Sequence, residues 1–186
     1  VIARGFAGAV VLASVVVIAW AIELFAATTS MQIRTFGINP RRWDSLIGIL
    51  TAPMLHLDAS HLASNTGPFL VLGWLVMLRG FETFAAVSLA TALVSGLGIW
   101  LIGEARSVHV GASGVIFGYL GYLLARGWFE RRATSILVAG AVALFYGGMI
   151  LGVLPGDPGV SWEGHLFGFI GGVAIARALA HRVTGQ

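Results

Sequence analysis

Four polar residues carry the chemistry this chain can do: Ser113, His165, His61 and Asn65. A serine hydroxyl beside an imidazole is a nucleophile with its general base. His61 and Asn65 are four residues apart, on one face of a helix. Their N–H groups, with the backbone N–H of Ser113, can hold a developing oxyanion. Together they suit acyl transfer. Singly, each has a plainer reading: a serine opening a helix is an N-cap, and a histidine near a membrane surface is an interfacial side chain. The functional reading gains force only if one framework brings the four together.

The framework follows from composition. Of 186 residues, 58% are hydrophobic; 11 are Arg or Lys, all of them Arg, and 8 are Asp or Glu. Mean hydropathy is +0.91. A soluble domain is about a quarter charged, so this is a membrane chain, and no nucleic-acid partner follows from a net charge of +3 built from so few groups. With no Cys, disulfides, Cys-ligated zinc and thiol nucleophiles are excluded. The sequence calls for no metal and no cofactor. Six apolar stretches approach the roughly 20 residues a spanning helix needs: about 5–27, 61–79, 83–102, 113–127, 134–151 and 164–179. The fourth and sixth are short. The six use most of the chain, so residues 1–186 read as a single all-α membrane domain.

Arginine placement orients the spans. With the N-terminus in the cytoplasm, Arg4, Arg79, Arg126, Arg131, Arg132, Arg177 and Arg182 fall inside, and Arg34, Arg41, Arg42 and Arg106 outside. That bias favours both termini inside. Most of the acids (Asp44, Asp58, Glu104, Asp157 and Glu163) collect outside. Spans two, four and six then all run inward, and His61, Asn65, Ser113 and His165 share one depth near the outer leaflet. Two glycine stripes, Gly114–Gly118 and Gly164–Gly168–Gly172, let spans four and six approach closely, which brings Ser113 towards His165. Residues 28–60 form a long apolar external connection, expected to fold as short interfacial helices. Residues 152–162, rich in Pro and Gly, form a loop. His109 and Glu104 read as solvated, His181 as a cation suited to a cytoplasmic helix end, and Thr83, Ser88, Thr91 and Ser95 as hydroxyls bonded back to their own helix.

The sequence resembles the rhomboid family of intramembrane serine proteases. The resemblance rests on His56-Leu-Asp-Ala-Ser-His61-Leu-Ala-Ser-Asn65, Gly111-Ala-Ser113-Gly114 and His165-Leu-Phe-Gly168-Phe-Ile-Gly-Gly172, in family order on the second, fourth and sixth spans. It implies a compact six-transmembrane-helix bundle with interfacial helices in the first external loop. It implies Ser113 as nucleophile, His165 as base in a dyad without an orienting Asp, and His61, Asn65 and the Ser113 N–H as the oxyanion hole. His56 takes a structural or water-organising role. Phe117 matches the aromatic, often Tyr, that packs on the catalytic imidazole. Gly111, Gly114, Gly164, Gly168 and Gly172 support the site. The implied partners are membrane-spanning protein substrates within a lipid bilayer, with helix-breaking or small residues near the outer face, in a bacterial plasma membrane. There are departures. The Trp-Arg pair of the first external loop is missing near Ile47 and Gly48, although Arg41, Arg42 and Trp43 lie nearby. A Glu often found near the inner end of the second span is Met77. Gly164 replaces a commoner Ala. None touches the dyad.

Other classes fit less well. A zinc protease needs His-Glu-x-x-His, which is absent, and an aspartyl type needs two intramembrane Asp residues, whereas Asp44, Asp58 and Asp157 lie in loops. Val115 breaks the Gly-x-Ser-x-Gly elbow. A non-catalytic rhomboid-like adaptor or chaperone that binds membrane helices is the main alternative, and should lack the Ser or the His. A small transporter should show related halves, and none is seen.

Overall fold

The computed structural model describes residues 2–29, 31–156 and 159–184, with side chains described between residues 5 and 180. Asp157 and the side chains of Arg4, His181 and Arg182 lie outside the described set. The described residues form seven α-helices: α1 (Ile2–Thr29), α2 (Gly48–Thr51), α3 (Ala59–Met77), α4 (Phe81–Ile102), α5 (Ser113–Glu130), α6 (Ala133–Tyr146) and α7 (Trp162–Thr184). A 3-10 stretch, Gly147–Val153, extends α6. The one extended pairing among the described residues is an isolated bridge between Ile38 and His109.

A helix stands at each of the six expected spans, but the six are not alike. Gly5–Thr29, Phe81–Ile102 and Ala133–Val153 are long and apolar enough to cross a membrane by themselves. Trp43–Met54 and Ala59–Met77, bent by 70°, make a fourth candidate if taken as one broken span. These helices make the chain an integral membrane protein. α5 and α7 fall short on composition, and packing explains why. Every residue of α5 from Val115 to Leu123 is buried, so this helix meets protein rather than lipid and tolerates Gly and Tyr. α6 is the opposite case: only Ser135 and Val142 are buried, while Leu137, Leu144 and Phe145 are more than 70% exposed.

The core surrounds α5. Tyr119 and Leu120 pack with Leu72 and Val76 of α3 and Val87 of α4, all fully buried. The Tyr119 hydroxyl, which burial would otherwise leave unpaired, lies 2.7 Å from Ser88 Oγ. Against α7, α5 is drawn to backbone contact. A Cβ on Gly168 would collide with the Gly114 carbonyl, and one on Gly172 with the Gly118 carbonyl. The two stripes therefore face each other in parallel, as their spacing suggests.

The segments at the departing positions are held by contacts of their own. Arg41 donates to the carbonyls of Leu101 (3.0 Å) and Gly103 (2.9 Å), satisfying the orphan end of α4 with a cation where the dipole favours one. Trp43 packs on Trp100 with ring centroids 4.9 Å apart, and Trp100 Nε1 donates to the Arg42 carbonyl. Residues 41–43 thus pin the segment between α1 and α3 to α4. Met77 is buried and packs close to Gly8 of α1. Near that end of α3, Glu130 pairs with Arg126 (3.0 Å) and Arg79 (3.3 Å) and accepts from Ser135 Oγ at 2.5 Å. This cluster ties the turn after α3 to α5 and α6 at the end opposite Ser113.

Candidate active site

Ser113 is the first residue of α5, reached through a strained approach. Gly111 has φ +125°, a conformation L side chains rarely adopt. It is also crowded: a Cβ there would lie 2.8 Å from His61 Cε1, 3.0 Å from His61 Nε2 and 3.8 Å from Ser113 Oγ. Glycine is required on both counts, and the same distances show that His61 and the Ser113 hydroxyl border one space. Two bonds hold this turn in place. Gly111 N–H donates to the Ala52 carbonyl at 2.9 Å, and Ala112 N–H donates to His56 Nε2 at 3.4 Å.

His56 is 2% exposed. Burial, and the neighbouring His61, push its pKa down to about 4, so near neutral pH it is an uncharged acceptor beneath the serine turn. His56 and His61 meet edge to face, centroids 5.1 Å apart.

His61 lies in the first turn of α3, which Asp58 caps by accepting the His61 backbone N–H at 2.8 Å. His61 Nδ1 accepts from Leu57 N–H at 3.4 Å. That acceptor role puts the ring proton on Nε2, the nitrogen facing Gly111 and Ser113. Asn65, one turn on and buried, spends one amide hydrogen on the His61 carbonyl at 3.2 Å and keeps the other.

His165 lies in the first turn of α7. Its Nδ1 is 2.9 Å from the Gly152 carbonyl oxygen. A carbonyl can only accept, so Nδ1 carries the proton and Nε2 keeps its lone pair. Phe117 stacks on the imidazole at 4.0 Å with planes 5° apart. Gly152 fits closely against both: a Cβ there would stand 2.9 Å from Phe117 Cζ and 3.3 Å from His165 Nδ1. The site thus brings Phe117, one turn beyond Ser113, onto His165. No hydrogen bond joins Ser113 Oγ to His165 Nε2 in this structure; such bonds are often long before substrate binds. A cavity of about 30 Å³, roughly one water's share of liquid volume, is lined by Ser113, Ser95, Gly111, His109, Ser161 and Gly164. Among the described residues, no three acidic, His or Cys side chains cluster to hold a metal.

Three features differ from the sequence reading or were missed by it. His109 is not simply solvated. It is half-buried, 2.8 Å from Ser161 Oγ and 2.7 Å from Ser107 Oγ, and its backbone pairs with Ile38; a loop histidine gives no warning of partners so distant in sequence. Ser95 does not bond to its own helix but crosses to the Gly164 carbonyl at 2.8 Å, tying α4 to the start of α7. The Gly152 carbonyl accepts the His165 Nδ1–H. A backbone acceptor carries no side-chain signature, and only the glycine's small size hints at it.

The family profile described as Rhomboid domain matches residues 43–182, three quarters of the chain, including Ser113, His165, His61 and Asn65. The chain belongs to the rhomboid family. This rhomboid is similar to an uncharacterized protein of Mycobacterium tuberculosis, 38% identical over 185 residues, covering 95% of this chain and 77% of that protein. A Mycobacterium leprae relative, also uncharacterized, is 40% identical over 186 residues, covering 95% and 73%. The Bacillus subtilis rhomboid protease GluP is 30% identical over 138 residues, 70% of this rhomboid but 25% of GluP.

Proposed function

We propose that this rhomboid is an intramembrane serine endopeptidase that cuts membrane-spanning proteins with a Ser113–His165 dyad. The observation that carries the reading is the state of His165: bonded through Nδ1 to the Gly152 carbonyl and stacked on Phe117, it keeps Nε2 as a base on the helix locked against that of Ser113. Nε2 takes the Ser113 proton as Oγ attacks a substrate carbonyl. The Ser113 N–H, His61 Nε2–H and the uncommitted Asn65 N–H hold the oxyanion. His165 returns the proton to the leaving amine, and water then releases the acyl group. The family name of GluP as a protease points the same way.

All six long helices cross the bilayer in this reading, with α5 and α7 shielded from lipid by the others. The short turns of residues 33–54 lie in the outer interface. Both termini are cytoplasmic, and the site opens outwards in a bacterial plasma membrane. Because a spanning helix hides its carbonyls in hydrogen bonds, substrates carry small or helix-breaking residues near their outer end. The unmade Ser113–His165 bond is the one observation on the side of a non-catalytic, helix-binding adaptor. Labelling with a serine-reactive fluorophosphonate decides between them: the native chain should react and Ser113→Ala should not, while equal labelling of both would remove the dyad.

A further inference from the structure

Glu23 is a carboxylate on an apolar helix, and beyond an electrostatic influence on His61 nothing in the proposed catalysis uses it. It is 9% exposed, and among the described residues it makes no hydrogen bond or ion pair. Intramembrane acids without a partner are costly and mark ligand or ion sites. Glu23 lines a cavity of about 610 Å³ between the outer half of α1 and the start of the first external segment, together with Trp20, Leu24, Met31, Arg34 and Asp58.

The lining has a definite charge pattern. Asp58 accepts from Ser60 Oγ and His61 N–H through Oδ1, and those bonds, the Ser60 one foremost, hold its carboxyl below the usual range. Its Oδ2 bonds to none of the described residues. Arg34 spends one N–H on the Leu57 carbonyl and has four more. Two acids and one guanidinium therefore face a single space. Its rim is apolar and outward-facing: Leu24 is 66% exposed and Met31 50%.

We propose that this cavity holds the headgroup of a glycerophospholipid bearing a primary ammonium. The ammonium supplies the N–H donors that buried Glu23 lacks and is shared with Asp58, the phosphate meets the Arg34 fork, and the acyl chains leave along Leu24 and Met31. An anionic headgroup without an amine would face two carboxylates. A trimethylammonium headgroup has the charge but no N–H to give. Glu23 would thereby make the outer end of α1 a lipid-selective contact, independent of the dyad.

The test is native mass spectrometry of the full chain released from bilayers of equal phosphatidylethanolamine, phosphatidylcholine and phosphatidylglycerol. Retention of phosphatidylethanolamine should exceed phosphatidylcholine about tenfold, the scale of a charged hydrogen bond. Glu23→Gln should bring that ratio near one, whereas Arg34→Gln should weaken both lipids together. The series of mono-, di- and trimethylated ethanolamine lipids needs no variant, and retention should fall as N–H groups are lost. Equal retention across that series, or an unchanged ratio in Glu23→Gln, would overturn the site. Ser113→Ala should bind as the native chain does, so failure here and failure of the protease reading are separable.

Discussion

His165 has one nitrogen to use because the other is committed to a backbone carbonyl, and most residue-level consequences follow from such commitments. Loss of the nucleophile in Ser113→Ala should abolish cleavage of single-span substrates by the purified chain. His61→Ala removes an oxyanion donor and should lower kcat about a hundredfold, with a smaller effect on KM; an equal loss in both would mean that His61 binds rather than stabilises. Phe117 stacks on His165 through its ring alone. His56 gives a pH dependence of definite sign. Its ordinary pKa of 6.5 falls to about 4 in the folded chain, so the unfolded chain binds the proton more readily. The folded state keeps its full stability above pH 6.5 and loses it as pH falls towards 4, by at most about 3 kcal/mol. Thermal unfolding in detergent across that window should show a shallower decline in His56→Gln than in the native chain.

At the scale of elements, the α5–α7 contact decides whether the residues meet. Gly168→Val should push the helices apart against the Gly114 carbonyl, cost about 1–3 kcal/mol or more of stability, and reduce activity sharply. Gly140→Ala on α6 meets open space and should leave both unchanged. If the Gly168 variant turned over normally, the close approach would not be what aligns the site. The positions of these glycines were legible as a four-residue period, and the helix pairing followed from it. The Ser95 tie to Gly164 and the Gly152 carbonyl were not legible, because each joins groups far apart in sequence and one partner is always backbone.

At the scale of the molecule, polar groups collect at opposite ends. The serine turn, His61, Asn65 and His165 lie at one end, and the Arg79–Glu130–Arg126–Ser135 cluster lies at the other. Removing one member of a buried ionic cluster strands the rest, so Glu130→Gln should cost about 3 kcal/mol of stability in detergent. Chain that remains folded should keep its kcat, because the cluster is remote from the chemistry; a matching loss of kcat would couple the two ends. Orientation has its own check. A reporter fused after residue 186 should be active only on the cytoplasmic side if six spans are crossed.

Composition alone determined that this chain belongs in a membrane, because so few charges cannot keep so apolar a surface in water. Period and order determined where helices form and which polar residues share a depth. What they left open was contact. Whether α5 is buried all round, which imidazole nitrogen bears the proton, and what holds residues 41–43 and Met77 in place depend on groups brought together from distant segments. Only tertiary packing decides these, because hydrogen bonds to backbone carbonyls and contacts between distant segments leave no pattern along the chain.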